Sequence, residues 1–383
     1  MPPMWAWKGH PVPCSCGAAW RRSSCRRSKS RRPSPPRAWT LYEWPYTWHI
    51  MRAMAPRLAS VAADPTELHV PSSSDSAVTS FRRITWGVLA YTVLVILFGA
   101  VVRITGSGAG CGQHWPTCQG EVVPMPSGME MAIELSHRIS SGISFLFVVG
   151  LTVLASRRFA AGHPARRAAY VAMACMVIEA LIGAALVLFG LTGDNDSVAR
   201  AVVMALHLLS TCFLTAGLVL AGFWATRRPD RRLRRSKVFG WLLLALALVL
   251  AVSATGAVTA LGDTLYPVTA TTSSDRVAAD QELGAHFLER LRGLHPVLAF
   301  VVAGFVVTVV LRSAGTDSRA SSSLARLVVA LVFLQLGLGL LNIWLSAPGF
   351  MQVIHLAAAM ALWITLVLLT ASALEEPQKT LPA

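Results

Sequence analysis

The chain has 383 residues, 54% hydrophobic and only 14% charged, with a mean hydropathy of +0.54. A soluble domain carries roughly 25% charged residues, so the composition excludes an ordinary soluble domain and points to a membrane protein. The net charge of +15 lies mostly in the N-terminal segment and in short loops between apolar runs; this is the pattern of cytoplasmic loops, so the charge reports orientation and not a nucleic-acid partner.

Residues 1–80 hold no apolar run long enough to span a bilayer, and Arg, Ser, Pro and Trp dominate, as in Arg21-Arg22-Ser23-Ser24-Cys25-Arg26-Arg27. The segment reads as a disordered basic tail. Its Arg-Arg pairs resemble a twin-arginine signal, but no apolar stretch and small-residue cleavage site follow nearby. A start at Met51 or Met54, after a translated upstream stretch, is the simpler expectation.

From Phe81 onward, apolar runs of about 20 residues recur, the length needed to cross roughly 30 Å of hydrocarbon. The expected spans are 84–102, 129–155, 168–191, 198–223, 239–261, 287–311, 325–345 and 349–373. In lipid each must be a helix, because every backbone group needs an internal partner. The fold class is therefore all-α, with eight transmembrane helices in two four-helix bundles, 81–225 and 238–373, and a tail at 374–383.

Arg82 and Arg83 precede the first span, and Arg157, Arg158, Arg166 and Arg167 separate the second from the third. Arg227 to Lys237 form a basic run between the fourth and fifth, and Arg312, Arg319 and Arg326 lie between the sixth and seventh. The alternate loops are poor in such charge, so both termini are expected in the cytoplasm.

The loop after the first span runs Thr105-Gly106-Ser107-Gly108-Ala109-Gly110-Cys111-Gly112-Gln113-His114-Trp115-Pro116-Thr117-Cys118. No strand precedes its glycines and no βαβ unit follows, so they suit a tight turn and not a dinucleotide site. Cys111 and Cys118 face the oxidising side, where a disulfide persists; it would serve either as a structural staple or in redox exchange. Cys175 and Cys212, inside apolar spans, read as small buried hydrophobes.

The halves repeat one another. Gly99-Ala100-Val101 on the first span matches Gly256-Ala257-Val258 on the fifth, and Glu179-x-x-x-Gly183 on the third matches Gln335-x-x-x-Gly339 on the seventh. His137 matches His295, and His207-Leu208 matches His355-Leu356. At 1.5 Å per residue, these four histidines sit roughly 9–14 Å below the outer boundary. One intramembrane histidine can simply hydrogen-bond a neighbouring helix, but four at matched depth, repeated by halves, point to function. Facing neutral imidazoles are how a helix bundle ligates haem iron, and two pairs imply two haem sites. Zinc would want further ligands nearby.

The other histidines are set aside by position: His10, His49 and His69 in the tail, His163 in a cytoplasmic loop and His114 in the outer loop. His286, at the outer mouth of the sixth span, is a weaker candidate for a propionate contact. The halves also differ. Glu134 lies one turn before His137, where Arg292 precedes His295. A carboxylate at this depth suits proton transfer or stabilisation of a cation; its bland alternative is an ion pair with Arg138 or Arg103.

At these residues the chain resembles the haem A synthase family, in its cysteine-bearing bacterial branch. The resemblance covers about residues 84–373 and rests on Gly99-x-x-x-Arg103-x-Thr105-Gly106-Ser107-Gly108, Cys111-Gly112-x-x-Trp115-Pro116-x-Cys118, Glu134-x-x-His137-Arg138 and the later histidines. It implies oxidation of the C8 methyl of haem O to a formyl group by successive hydroxylations, with water as the oxygen source. It further implies that His137 and His207 hold the substrate haem, that Glu134 is catalytic, and that His295 and His355 ligate a haem b cofactor. Arg103 and Arg138 become candidate propionate contacts, and Cys111–Cys118 the family's disulfide. The implied partners are haem O, a haem O synthase, an unidentified electron acceptor and the lipid of a bacterial cell membrane. One departure stands out: Pro296 follows His295 where Arg138 follows His137, so the sixth helix can bend there. The competing readings are a di-haem electron-transfer protein of the cytochrome b561 kind and a haem carrier.

Overall fold

The structure is a computed structural model that describes residues 73–227, 237–267, 273–313 and 319–374. The tail to residue 72, with its cysteines and three histidines, lies outside these residues, as do most of the basic run after the fourth span and residues 375–383.

All regular elements among the described residues are helices. The long ones are α1 (Ser73–Ile104), α2 (Met129–Arg158), α3 (Pro164–Leu188), α4 (Val198–Ala225), α5 (Lys237–Leu265), α6 (Leu294–Ser313), α7 (Arg319–Trp344) and α8 (Gly349–Ser372). Eight helical segments are long and apolar enough to cross a membrane, and the chain is a multi-pass membrane protein. Large apolar side chains such as Leu94, Leu181 and Phe333 are exposed, as lipid-facing positions require.

Two ends differ from expectation. α1 begins at Ser73, so residues 73–80 belong to the helix and not to the tail. The sixth span is broken: a short helix, Phe287–Arg290, is followed by a turn, and α6 restarts at Leu294. Pro296 thus falls in the first turn of α6, where its missing donor leaves no hydrogen bond unmade.

α3 starts with Pro164, and the His163 ring caps it, Nδ1 accepting from Ala165 N–H at 3.2 Å while the ring stacks on Phe159. Burial pushes the His163 imidazole below its ordinary value. The neutral ring is the form the fold favours, so the cap is complete above the ordinary imidazole value of about 6.5 and is lost as the pH falls through the folded one. A His163→Asn protein, capped without an imidazole, is expected to lose the part of the fall in thermal stability below about pH 6.5 that belongs to this ring. An unchanged pH profile would remove His163 from the acid side of the stability curve.

α3 packs along α4, α7 along α8, α1 against α2 and α4, and α5 against α4 and α6. α8 touches α1, α4 and α5 as well as α7. Its Met360, Trp363 and Val367 join the buried cluster of Phe81, Val148 and Leu218, whereas its Leu362, Leu366 and Leu369 join that of Leu242, Val306 and Val328. Trp363 Nε1 also donates to Cys212 O on α4 at 2.8 Å. The last helix therefore supplies core to both halves and sets them side by side.

Candidate functional site

A cavity of about 1190 Å³ runs between the halves, lined by His137, His207, His295 and His355. Ordinary small-molecule pockets occupy roughly 300–1,000 Å³, so this one suits a large apolar ligand or more than one.

Three of the four imidazoles are seated over a glycine of the neighbouring helix. A Cβ built at Gly99 would stand 3.1 Å from His137 Cε1, one at Gly256 2.9 Å from His295 Cε1, and one at Gly339 3.3 Å from His355 Cε1. The matched glycine residues are notches for these rings. Gly183, the fourth by register, has nothing within 4 Å; here His207 Nδ1 stands 2.7 Å from Glu179 Oε2 on α3. A test follows from the contrast. Gly183→Ala is expected to stabilise the protein by up to about 1 kcal/mol through helix propensity. Gly256→Ala should forfeit that gain by pushing His295 aside, and unfolding midpoints in detergent that rise equally for both would refute the notch.

Thr255 donates to Val252 O at 2.8 Å, leaving its oxygen to accept from His295 Nδ1 at 3.2 Å and Nε2 as the free nitrogen. Fixing one ring nitrogen in this way selects which of the two can bind a metal. His355 Nε2 lies 3.0 Å from Gln335 Nε2 on α7. The His295 and His355 ring centres are 6.5 Å apart, with planes at 84°. Metal–nitrogen bonds of about 2 Å and roughly 1.1 Å from each nitrogen to its ring centre place two axial imidazoles roughly 6 Å apart, so this pair is spaced for one iron between them. Nδ1 of His137, His207 and His355 is buried without an aligned hydrogen-bond partner, the 2.7 Å approach of Glu179 to His207 being a charge contact, and this is uncommon for buried polar atoms. Among the described residues no group of three or more His, Cys, Asp or Glu is placed to hold a bare metal ion. The donor set is one of imidazoles in an apolar cleft, which fits haem.

Cys111 and Cys118 are joined as a disulfide and fully buried, in a loop whose Trp115 and Pro116 line the cavity. Glu134 is 3% exposed. Its Oε1 accepts from Arg138 Nε at 3.1 Å and from Arg138 Nη2 at 2.5 Å, and its Oε2 accepts from Cys111 N–H at 2.7 Å. Arg138 Nη1 donates to His114 O and Thr117 O, each at 2.6 Å. The ion pair open as the bland alternative for Glu134 thus exists, with Arg138 and not with Arg103. Arg138 ties the loop to α2.

Arg103 reaches the other way, donating to Ala260 O, Thr264 Oγ1 and Gln352 Oε1 on α5 and α8. It bridges the halves at the loop end of the cavity. His286 caps the short helix before α6 and stacks on Tyr266; it is not among the residues lining the cavity. Cys175 and Cys212 are free thiols, the second buried.

Two further arginine residues line the cavity, Arg292 already set apart in the sequence by its place before His295 and Arg200 not. Arg200, 4% exposed in the first turn of α4, donates to Gly193 O and Asn195 O. Arg292 is 6% exposed and pairs with Asp263 and Asp280. Their signal was position: with Arg103 and Arg138 they are cations at the membrane end that is otherwise poor in Arg and Lys, and such exceptions to the charge rule call for an internal partner.

The family model described as cytochrome oxidase assembly protein (COX15-CtaA) matches residues 82–131 and 127–367. A "Protoheme IX farnesyltransferase" of Thermus thermophilus is 48% identical over 303 residues, 77% of this chain and 48% of that protein. A "Heme A synthase" of Lysinibacillus sphaericus is 36% identical over 161 residues, 41% of this chain and 50% of that protein. One of Bacillus cereus is 42% identical over 98 residues, 26% and 32% respectively. The chain thus spans about half the length, or less, of the curated relatives it matches.

Proposed function

The chain belongs to the cytochrome oxidase assembly protein family, and from that premise we propose that it is a haem A synthase, oxidising the C8 methyl of haem O to a formyl group. The observation that carries this reading is the single cavity with two pairs of imidazoles, three of them seated in matched glycine notches. In this reading the cavity is a duplicated site. His137 and His207 hold the substrate haem, and His295 and His355 hold a haem b.

Converting a methyl to a formyl group with water as the oxygen source releases protons and electrons, both of which must leave the site. Haem b, when bound, supplies one-electron transfer. The protein's own residues do the rest. Thr255 orients His295. Glu134 places a carboxylate one turn from His137, its charge held by Arg138, where it can stabilise a cationic centre or take up a proton. Arg103 and Arg200, cations at the loop end of the cavity, suit the propionate groups of a haem. The disulfide loop covers that end and restricts water.

Orientation follows from charge: the arginine-rich loops lie in the cytoplasm and the disulfide loop outside, in a bacterial plasma membrane. A relative named for farnesyl transfer to protohaem, matched over about half its length, supports a prenyl transferase as the source of the substrate. A separate electron acceptor is required.

The second reading, a di-haem electron-transfer protein, is favoured by one observation: both oxygens of Glu134 are already paired. Pigment analysis of the purified full chain, with and without a co-expressed haem O supplier, separates the two. Haem A and haem O beside haem b are expected. Haem b alone, whatever is supplied, would exclude the synthase.

A further inference from the structure

Glu179 and Gln335 occupy one register, each four residues before a glycine, on α3 and α7. Each touches the histidine of the following helix: Glu179 Oε2 lies 2.7 Å from His207 Nδ1, and Gln335 Nε2 lies 3.0 Å from His355 Nε2. Both residues line the cavity, and the Glu179 side chain is only 12% exposed. The halves therefore differ at this register in two respects: carboxylate against amide, and Nδ1 of His207 against Nε2 of His355 as the ring nitrogen touched. Unlike Glu134, whose charge is matched by Arg138, Glu179 faces the imidazole of His207, which carries a charge only when protonated.

A carboxylate on the far nitrogen of a metal-bound imidazole fixes the ring's tautomer and raises the basicity of the ligating nitrogen. The effect is larger in a low-dielectric interior than in water. A more strongly donating axial ligand favours the oxidised metal and lowers its reduction potential. Gln335, a neutral amide lying on Nε2, leaves Nδ1 of His355 without such a carboxylate.

We propose that Glu179 is a positioning residue that holds His207 by Nδ1, leaves Nε2 as its ligating nitrogen, and makes it a stronger donor than His355. The consequence is a potential step across the cavity. An iron held by His207 would sit at lower potential than one held by His355, which would direct electrons from the first site to the second. The inference rests on the reading of the four histidines as haem ligands, and it deepens that reading by giving the pair of sites a direction.

The test is a redox titration of the full-length, haem-loaded protein, followed by its visible spectrum. Wild type, Glu179→Gln and Gln335→Glu are compared. Glu179→Gln is expected to raise the lower-potential component and leave the other in place; Gln335→Glu is expected to lower the higher one. Two haems retained in Glu179→Gln with both components unmoved would overturn the proposal. Should Glu179→Gln fail to keep the first haem, Gln335→Glu decides alone, an unmoved upper component overturning it. His207→Ala separates this from the reading beneath: full retention of both haems there would dismiss the ligand assignment itself, whatever Glu179 does.

Discussion

Glu134→Ala is expected to cost about 3–5 kcal/mol of stability, the usual penalty for stripping one partner from a buried ion pair, and to stop haem A formation. The size follows from what the carboxylate holds. Its removal leaves the Arg138 guanidinium charged and half-satisfied in a site where Glu134 is 3% exposed, and it leaves the Cys111 N–H without an acceptor. Stability and chemistry are then lost together, so a second variant is needed to part them. Glu134→Gln keeps the shape and one oxygen acceptor but not the charge. It should recover part of the unfolding midpoint and keep its haem while still producing no haem A. A Gln variant with full haem A yield would assign Glu134 to the scaffold alone, and an Ala variant as stable as wild type would remove even that role.

His355→Ala is expected to lower haem b affinity by more than the roughly 10–100-fold typical of losing a residue that only hydrogen-bonds a metal ligand, while the other haem stays bound. His137→Ala should do the converse. The two halves present their histidines through separate helices and separate notches, Gly339 for His355 and Gly99 for His137, so damage to one should not spread. Pigment extracted from each purified variant measures this directly. Equal loss of both haems in both variants would mean that the halves are not specialised. Equal retention would mean that these histidines carry no iron.

The helices were legible because lipid demands them. A run of apolar residues about as long as the hydrocarbon is thick has no other way to satisfy its backbone, and α2, α4 and α8 begin at the residues expected from composition. Less legible was anything set by long-range contact. Pro296 announced a disturbance, but its form, a short capped helix, a turn and a fresh start at Leu294, depends on His286 and Glu289 capping one another. The four histidines were legible as a set because their depth can be counted along a helix. Their partners were not: that Thr255 touches His295, or that a glycine of the preceding helix seats three of the four rings, requires neighbours to be known. Arg103 and Arg138 look alike in the sequence, each near the loop end of a span. In the fold one turns to α5 and α8 and the other to the loop.

The loop over the cavity is fastened more than once. Besides the sulfur bridge, Arg138 grips the carbonyls of His114 and Thr117 from beneath, Glu134 holds Cys111 N–H, and Gln119 N–H returns to Cys111 O. Cutting the bridge therefore frees two thiols without releasing the segment that carries them. Thiol state and the position of this cover are separate variables, and a reductant reaching the loop changes the chemistry at the entrance before it changes its width.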